Sequence, residues 1–466
     1  MSNRALAFTT KSLLQILKSF PAVSRYFVGF SGGADSTALV HALSKIQEQL
    51  DAPVSAVHVN HGIHPHADQW QSGCENFCHQ HNIDLVCIKI DLTHSSGKGL
   101  EAEARHLRYE AIAALFKPGD CLLTAHHADD QAETLLLNLM RGSGVDGLSA
   151  MPDSRPLGAG ILQRPLLKFK NSALLDYLGE NNIEWTEDPS NLYLNHDRNF
   201  IRHQVIPSLE QRWPQVSQRL LLTREAMTDA RNLLEKLADE YLKPNLSHPL
   251  VLRITPECLG SPELFKLVTR RWMKQSGATG FPVYQLDSFC DQVRQADKDN
   301  KILARWDNWI LRCYKNQLWL NIGLEITPCP AVKWPKGQKA LDLGNDVGEL
   351  LLTDVTPVDG LTKEGSNIFP DGKFSVGGRI NMNENVIGQG DIHKSLKNLF
   401  QSADIPPWLR DSVPLCKLDG ELVALGDWCL NEKFAASLAE NGISLNWRPK
   451  HPLLQFILKQ QHRLKH

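Results

Sequence analysis

Between about residues 25 and 142, short apolar runs alternate with helix-length amphipathic segments. "YFVGF" (26 to 30), "VSAVHV" (54 to 59), "DLVCIKI" (84 to 90) and "CLLTA" (121 to 125) are nearly continuously apolar. Strands covered on both faces have this composition, because neither face meets water. Between them Leu39, Leu43, Ile46 and Leu50 recur at helical spacing, and "EAEARHLRYEAIAALF" (101 to 116) again gathers its apolar groups on one side. The alternation predicts an α/β fold, a doubly wound parallel sheet with right-handed crossovers. Such sheets take their ligands at the carboxyl ends of the strands.

The pattern then changes. The "DPSN" turn (188 to 191), Pro207 and Pro214 close the first unit, and a long amphipathic helix is expected from about Gln215 to Leu242. Two helical patterns, "SPELFKLVTRRWMKQ" and "VYQLDSFCDQVRQA", precede "KILARW", "WILRCY" and "QLWLNI", three alternating runs separated by turn residues. They read as a short antiparallel meander. Past Pro330, short strands, a helix around "KSLKNLF" and many Gly and Pro suggest a further α+β unit. The expected organisation is a catalytic domain (1–215), a linker helix (216–244) and two smaller α+β domains (245–328 and 329–466).

Composition narrows the class. The 466 residues are 42% hydrophobic and 22% charged, which suits a multidomain globular protein. No apolar run approaches the roughly 20 residues of a membrane span, and the opening "MSNRALAFTTKSLLQILKSF" lacks the compact apolar block of a signal peptide. A cytoplasmic location is therefore expected. The ten cysteines form no dense framework and no Cys-x-x-Cys pair, so they read as reduced, buried side chains. A net charge of -2 argues against wholesale polyanion binding but leaves room for local basic patches, such as the tail from Trp447, with five Lys/Arg and no Asp/Glu. The tryptophans in "RWDNWILRCYKNQLWL" read as meander core rather than as a base-stacking surface.

Two strand-to-helix junctions carry candidate chemistry. In "SGGADS", Gly32 and Gly33 let the backbone approach a ligand closely, a helix N-terminus follows, and Ser31 and Ser36 add hydroxyl groups. This is a phosphate cradle without the lysine of the common nucleotide P-loop. Asp35 beside bound phosphate implies an intervening cation or a positioning role. The plainer alternative is a glycine turn with a capping aspartate. The second junction, "LLTAHHADDQAETLLLNLMRGSG" (122 to 144), puts Asp129 and Asp130 at a helix start and Glu133 on the same face as Asp130. Such acids are often only caps. At the same sheet edge as the glycine loop they could instead bind Mg²⁺ or accept a proton. His58 and His61, with His126 and His127, raise the idea of zinc, but catalytic zinc needs a preorganised third ligand. Lining a nucleotide pocket or capping the strand ends is the simpler role.

"SGGADS" resembles the signature of the N-type ATP pyrophosphatases, the PP-loop enzymes. Within that superfamily "VHVNHG" (57 to 62), "EAEARHLRY" (101 to 109) and "HHADDQAETLLLNLMRGSGVDGLSAM" (126 to 151) are similar to the tRNA(Ile)-lysidine synthetases. "RPLL" (164 to 167), "NFIRHQVIPSL" (199 to 209) and "KSLKNLFQSADIPPWLRDSVPL" (394 to 415) extend the likeness. The resemblance implies ATP-dependent ligation of L-lysine to the wobble cytidine of isoleucine tRNA with a CAU anticodon, through an adenylated base, with release of pyrophosphate and AMP. It implies ATP at Ser31, Gly32, Gly33, Ala34, Asp35 and Ser36. It implies catalytic roles for Asp35, Asp130, Glu133 and Arg105, and Mg²⁺ at Asp35 and Asp130. The run from Gly377 to Ser395 departs from expectation, being acidic and amide-rich where a basic tRNA-facing loop would be natural; Arg379, His393, Lys394, Lys397 and Arg410 remain as RNA contacts. A tRNA-thiolating relative, a small-molecule amidating relative and a noncatalytic RNA-binding protein are the alternatives.

Overall fold

The computed structural model describes residues 6–60, 62, 66–90, 100–187, 193–295, 302–323, 325–354, 372–379, 386–389 and 392–463. His61 and the 188–191 turn lie outside them, as do residues 380–385 of the acidic run. The first elements are α1 (Thr10–Ser19), β1 (Arg25–Gly29), α2 (Ala34–Ile46), β2 (Val54–Asn60), α3 (Ala67–Gln80), β3 (Asp84–Lys89), α4 (Leu100–Ala114), β4 (Asp120–Leu123) and α5 (Ala128–Met140). There follow α6 (Val145–Leu148), β5 (Ser154–Leu157), β6 (Gly160–Gln163), α7 (Asn171–Glu180), α8 (Asp197–Phe200), a π turn (Ile201–Val205), α9 (Ile206–Arg212) and α10 (Val216–Asn245).

The sheet order is β3-β2-β1-β4-β6-β5. β1 pairs in parallel with both β2 and β4, Tyr26 lying opposite Val54 on one side and Cys121 on the other. The chain therefore winds outward from the centre in both directions, and the crevice between the loops after β1 and β4 is the topological switch point. Side chains alternate between two cores, as strand geometry requires. Tyr26 and Val28 join Leu13, Leu39, Leu43, Leu174 and Leu178 on one face, whereas Phe27 packs with Ile112, Phe116, Leu122 and Leu162 on the other. Burial on both faces explains the unbroken apolar runs of β1, β2 and β4, whereas β3, at the sheet edge, is only half-buried.

The β5–β6 hairpin lies outside the sequence expectation. Its strands are four residues each and contain Pro156 and Gly160, so neither period nor propensity marks them. Gly160 is required there: a Cβ would stand 2.2 Å from the Asp120 carbonyl oxygen.

The chain divides into two compact units, Met1–Leu234 and Glu235–His466. In the second, helices Pro262–Gln275 and Val283–Gln295 pack with a five-stranded antiparallel sheet that contains the expected meander, Leu303–Trp306, Trp309–Tyr314 and Gln317–Ile322. Trp306 and Trp319 are buried in it. One hydrophobic core runs from Ala238 to Leu458, so the segments read separately as 245–328 and 329–466 share an interior. The basic tail forms a helix, Pro452–Arg463, whose Leu453, Leu454, Ile457 and Gln461 are buried. Arg410 is also buried, donating from Nε to the Ile405 carbonyl at 3.0 Å, which withdraws it as an RNA contact. No helix among the described residues is long and apolar enough to cross a membrane.

Candidate active site

The glycine loop leaves β1 and enters α2 with its turn already built. Gly32 has φ +85°, a conformation that L side chains rarely adopt, and a Cβ there would approach Cys74 Sγ to 3.3 Å. Ser36 Oγ accepts from the Ser31 backbone N–H (3.2 Å) and donates to the Gly33 carbonyl (3.0 Å). From outside the loop, the Thr186 N–H donates to the Gly32 carbonyl at 2.9 Å. Gly33 is the N-cap of α2 and supplies no side chain to cap it. The first-turn N–H groups of α2 thus keep their donor capacity, and the helix adds a partial positive charge of about half a unit. Together these features suit an anion.

Asp35, in the first turn of α2, faces the start of α5. Its Oδ1 accepts from Asn171 Nδ2 at 2.7 Å, and its Oδ2 lies 3.5 Å from His127 Nε2. His127 also stands 3.6 Å from both Asp129 and Asp130. Burial alone would lower the His127 pKa, but the carboxylates of Asp35, Asp130 and Asp129 outweigh it and raise the pKa above its ordinary value. Burial would likewise raise Asp130, yet His127, Arg198 and a backbone N–H bring it down to about 2. His127 therefore couples the two junctions electrically.

Asp130 and Glu133 share a face, as their spacing requires, and two arginines grip both. Arg198 donates to Asp130 Oδ1 at 2.7 Å and to Glu133 Oε2 at 2.8 Å. Arg202 donates to Asp130 Oδ1 at 3.0 Å and to Glu133 Oε1 at 2.5 Å. Glu133 is almost fully enclosed, its side chain 1% exposed. The sequence assigns no role to Arg198, Arg202 or Asn171, and gives His127 only a place lining the pocket or capping a strand end. The spacing of Arg198 and Arg202, four residues apart in "DRNFIRHQ", was the available signal, since it places both on one helical face.

Arg105 is not brought to the acids. It sits exposed on α4, its guanidinium 5.3 Å from the Tyr109 ring centroid. The histidines are engaged locally: His58 Nδ1 lies 2.9 Å from the Phe30 carbonyl oxygen, and His126 Nδ1 lies 2.9 Å from Thr124 Oγ1. Desolvation lowers the His126 pKa to about 3. No group of three or more His, Cys, Asp or Glu among the described residues is arranged to hold a metal. Magnesium usually needs only one or two carboxylates, completing its shell with phosphate oxygens and water. Asp35, about one-third exposed, suits that role. Asp130 suits it less: its Oδ1 is held by both arginines and its Oδ2 by the His127 N–H at 3.0 Å.

A lysine-free glycine loop at the switch point of a parallel sheet, faced by acids from the next-door strand, defines a PP-loop nucleotide-binding domain, and the PP-loop domain family matches residues 7–209. The TilS substrate binding domain matches residues 260–319 and the TilS substrate C-terminal domain residues 379–447. Over 91% of its length the chain is 35% identical to the tRNA(Ile)-lysidine synthase of Alkalilimnicola ehrlichii, covering 94% of that protein. It is also 35% identical to the enzyme of that name from Methylococcus capsulatus (91% of this chain, 97% of that one) and 34% identical to that of Coxiella burnetii (95% and 97%). The chain belongs to the tRNA(Ile)-lysidine synthase family.

Proposed function

We propose that this chain, working in the cytoplasm, uses ATP to join the ε-amine of L-lysine to C2 of the wobble cytidine in isoleucine tRNA with a CAU anticodon. The observation that carries this reading is the side-chain-uncapped glycine turn, joined through Asp35 and His127 to the enclosed carboxylates Asp130 and Glu133. Residues Ser31 to Ser36 hold the triphosphate against the start of α2, where N–H groups and the helix dipole favour phosphate oxygens. The cytidine O2 attacks the α-phosphorus and pyrophosphate leaves. The lysine amine then forms the new bond to C2 while the C2–O bond breaks and AMP departs, with protons lost from the amine. Adenylation serves the second step, because AMP is a far better leaving group than an oxide. Magnesium with Asp35 would offset charge on the leaving pyrophosphate. Asp130 and Glu133, held beside two guanidinium groups, give the incoming amine a negative site. Arg105, exposed on α4 beside Tyr109, stays a proposed substrate-side contact.

Purified protein with ATP, Mg²⁺, labelled lysine and the CAU isoleucine tRNA transcript tests this. Lysine incorporation with matching AMP release is expected, and Asp35→Asn should reduce both by at least about a hundredfold, the scale of losing a preorganised electrostatic group. AMP formation that needs no tRNA, or equal labelling of a tRNA without the wobble cytidine, would refute the reading.

A further inference from the structure

Two arginines flank one tyrosine beyond β4, and a third, buried arginine directly follows β6. β6 pairs in parallel with β4, Gln163 opposite Leu123, and the Thr124 N–H donates to the Gln163 carbonyl at 3.1 Å. Arg164, the residue after β6, therefore lies level with the Thr124–His126 turn, on the edge from which the glycine loop emerges. The ends of β1 and β6 are two strand spacings apart, roughly 10 Å. Arg155 comes from β5 and Arg105 from α4, with guanidinium groups 4.8 and 5.3 Å from the Tyr109 ring centroid. Tyr109 fixes both by cation–π contact.

Arg164 is 5% exposed. Its Nη1 donates to the Pro152 carbonyl at 2.6 Å, while its Nε has no partner among the described residues. Asp153, which could neutralise it, is engaged at 3.3 Å by Arg224. Burial, with the like charges of Arg155 and Arg105, pulls the Arg164 pKa down to about 10. A buried guanidinium with an unpartnered Nε, only partly offset by Asp153 and opposed by the charges of two further arginines, is a costly arrangement unless an anion completes it. Arginine forks match phosphate oxygens in geometry as well as charge.

We propose that Arg155, Arg164 and Arg105 bind a backbone phosphodiester of the RNA substrate, close to the nucleotide that reacts at the glycine loop. The proposal rests on the tRNA-modifying reading above. The placement favours RNA over ATP: the triphosphate has its own cradle at β1, and a second anion site about 10 Å along the same edge suits a polymer whose phosphates continue past the reacting base. The contact would orient the strand without reading its sequence.

The test measures tRNA binding to the full-length enzyme across a salt series, with ATP KM and lysine incorporation measured in parallel. Arg155→Gln, on a half-exposed hairpin strand, should weaken tRNA binding about tenfold and reduce the slope of log Kd against log salt by roughly 0.7 to 1, leaving ATP KM within about twofold. Arg164→Lys, which keeps the charge but loses the fork, should also weaken tRNA binding; its melting temperature shows whether the buried site still folds, and Arg155→Gln decides the matter if it does not. Unchanged tRNA affinity and salt slope in Arg155→Gln would overturn the proposal. A rise in ATP KM with tRNA affinity intact would overturn it too, assigning the cluster to the triphosphate. Wild-type protein that binds tRNA but incorporates no lysine would count against the catalytic reading and leave the phosphate site standing.

Discussion

Replacing Arg202 with methionine keeps most of the side-chain bulk and removes one of the two cations that hold Asp130 and Glu133. Arg202 gives Glu133 two hydrogen bonds, to Oε1 at 2.5 Å and Oε2 at 3.1 Å, and Asp130 one at 3.0 Å. Asp130 then keeps Arg198 and His127, but Arg198 alone remains against Glu133, which is 1% exposed. Stranding one partner of a fully buried pair costs about 3–5 kcal/mol. The Arg202 side chain is 36% exposed, so water reaches the site and the Coulomb part is screened. With Arg198 still bonded to Glu133 Oε2 at 2.8 Å, the expected cost falls to about 2 kcal/mol. Hydrogen exchange followed by mass spectrometry reads this locally, which matters in a chain of two units where one global unfolding energy is poorly defined. Peptides covering α5 and residues 197–206 should exchange about 30-fold faster in Arg202→Met. Adding Glu133→Gln removes the stranded charge, so the double variant should lose less than the sum of the single losses, by about 1–2 kcal/mol. Unaltered exchange in Arg202→Met, or strictly additive losses, would refute the view of these four side chains as one mutually neutralising unit.

Two further outcomes are expected from the same site and its supporting helix. Gly32→Ala places a methyl group against Cys74 Sγ at a backbone φ of +85°, so ATP KM should rise several-fold and the melting temperature should fall by a few degrees, consistent with a strain of about 1–2 kcal/mol. His41, 2% exposed and 2.9 Å from the Tyr177 hydroxyl, has its pKa lowered to about 4 by burial and by His81 and Lys45. Its folded form prefers the neutral ring, so its contribution is complete above about pH 6.5 and is lost as pH falls through about 4, up to about 3 kcal/mol. Thermal melts between pH 7 and 4 should show a shallower acid decline in His41→Leu than in wild type; parallel declines would refute this assignment.

The sheet was legible because its strands are buried twice over: Phe27 and Val28 serve opposite cores, so the run containing them cannot alternate. The α2 and α5 junctions were legible for a related reason, since glycine turns and helix-start acids have local signatures. β5 and β6 have none: they are short, contain Pro156 and Gly160, and are held as strands by pairing, β6 to β4 and β5 to β6. The site was half legible. Asp35, Asp130 and Glu133 stand at helix starts, where a carboxylate invites notice, but their partners Arg198, Arg202 and Asn171 arrive from 65 or more residues further along the chain, and charge pairing across that distance leaves no periodicity. Arg105 showed the opposite behaviour, prominent in the sequence yet placed beside Tyr109 rather than among the acids. Arg410 sits in a motif block but is packed inside the second unit.

The π turn at Ile201–Val205 has a consequence for how this part of the chain can vary. Such a turn is an α-helix holding one surplus residue. Deleting Ile201 would let the backbone close to ordinary spacing with the downstream residues kept in phase, and Arg202 would then stand three residues from Arg198, still on one helical face. This stretch can therefore lose a residue without unpairing the guanidinium groups, whereas the same deletion in an ordinary helix would turn everything downstream by about 100°.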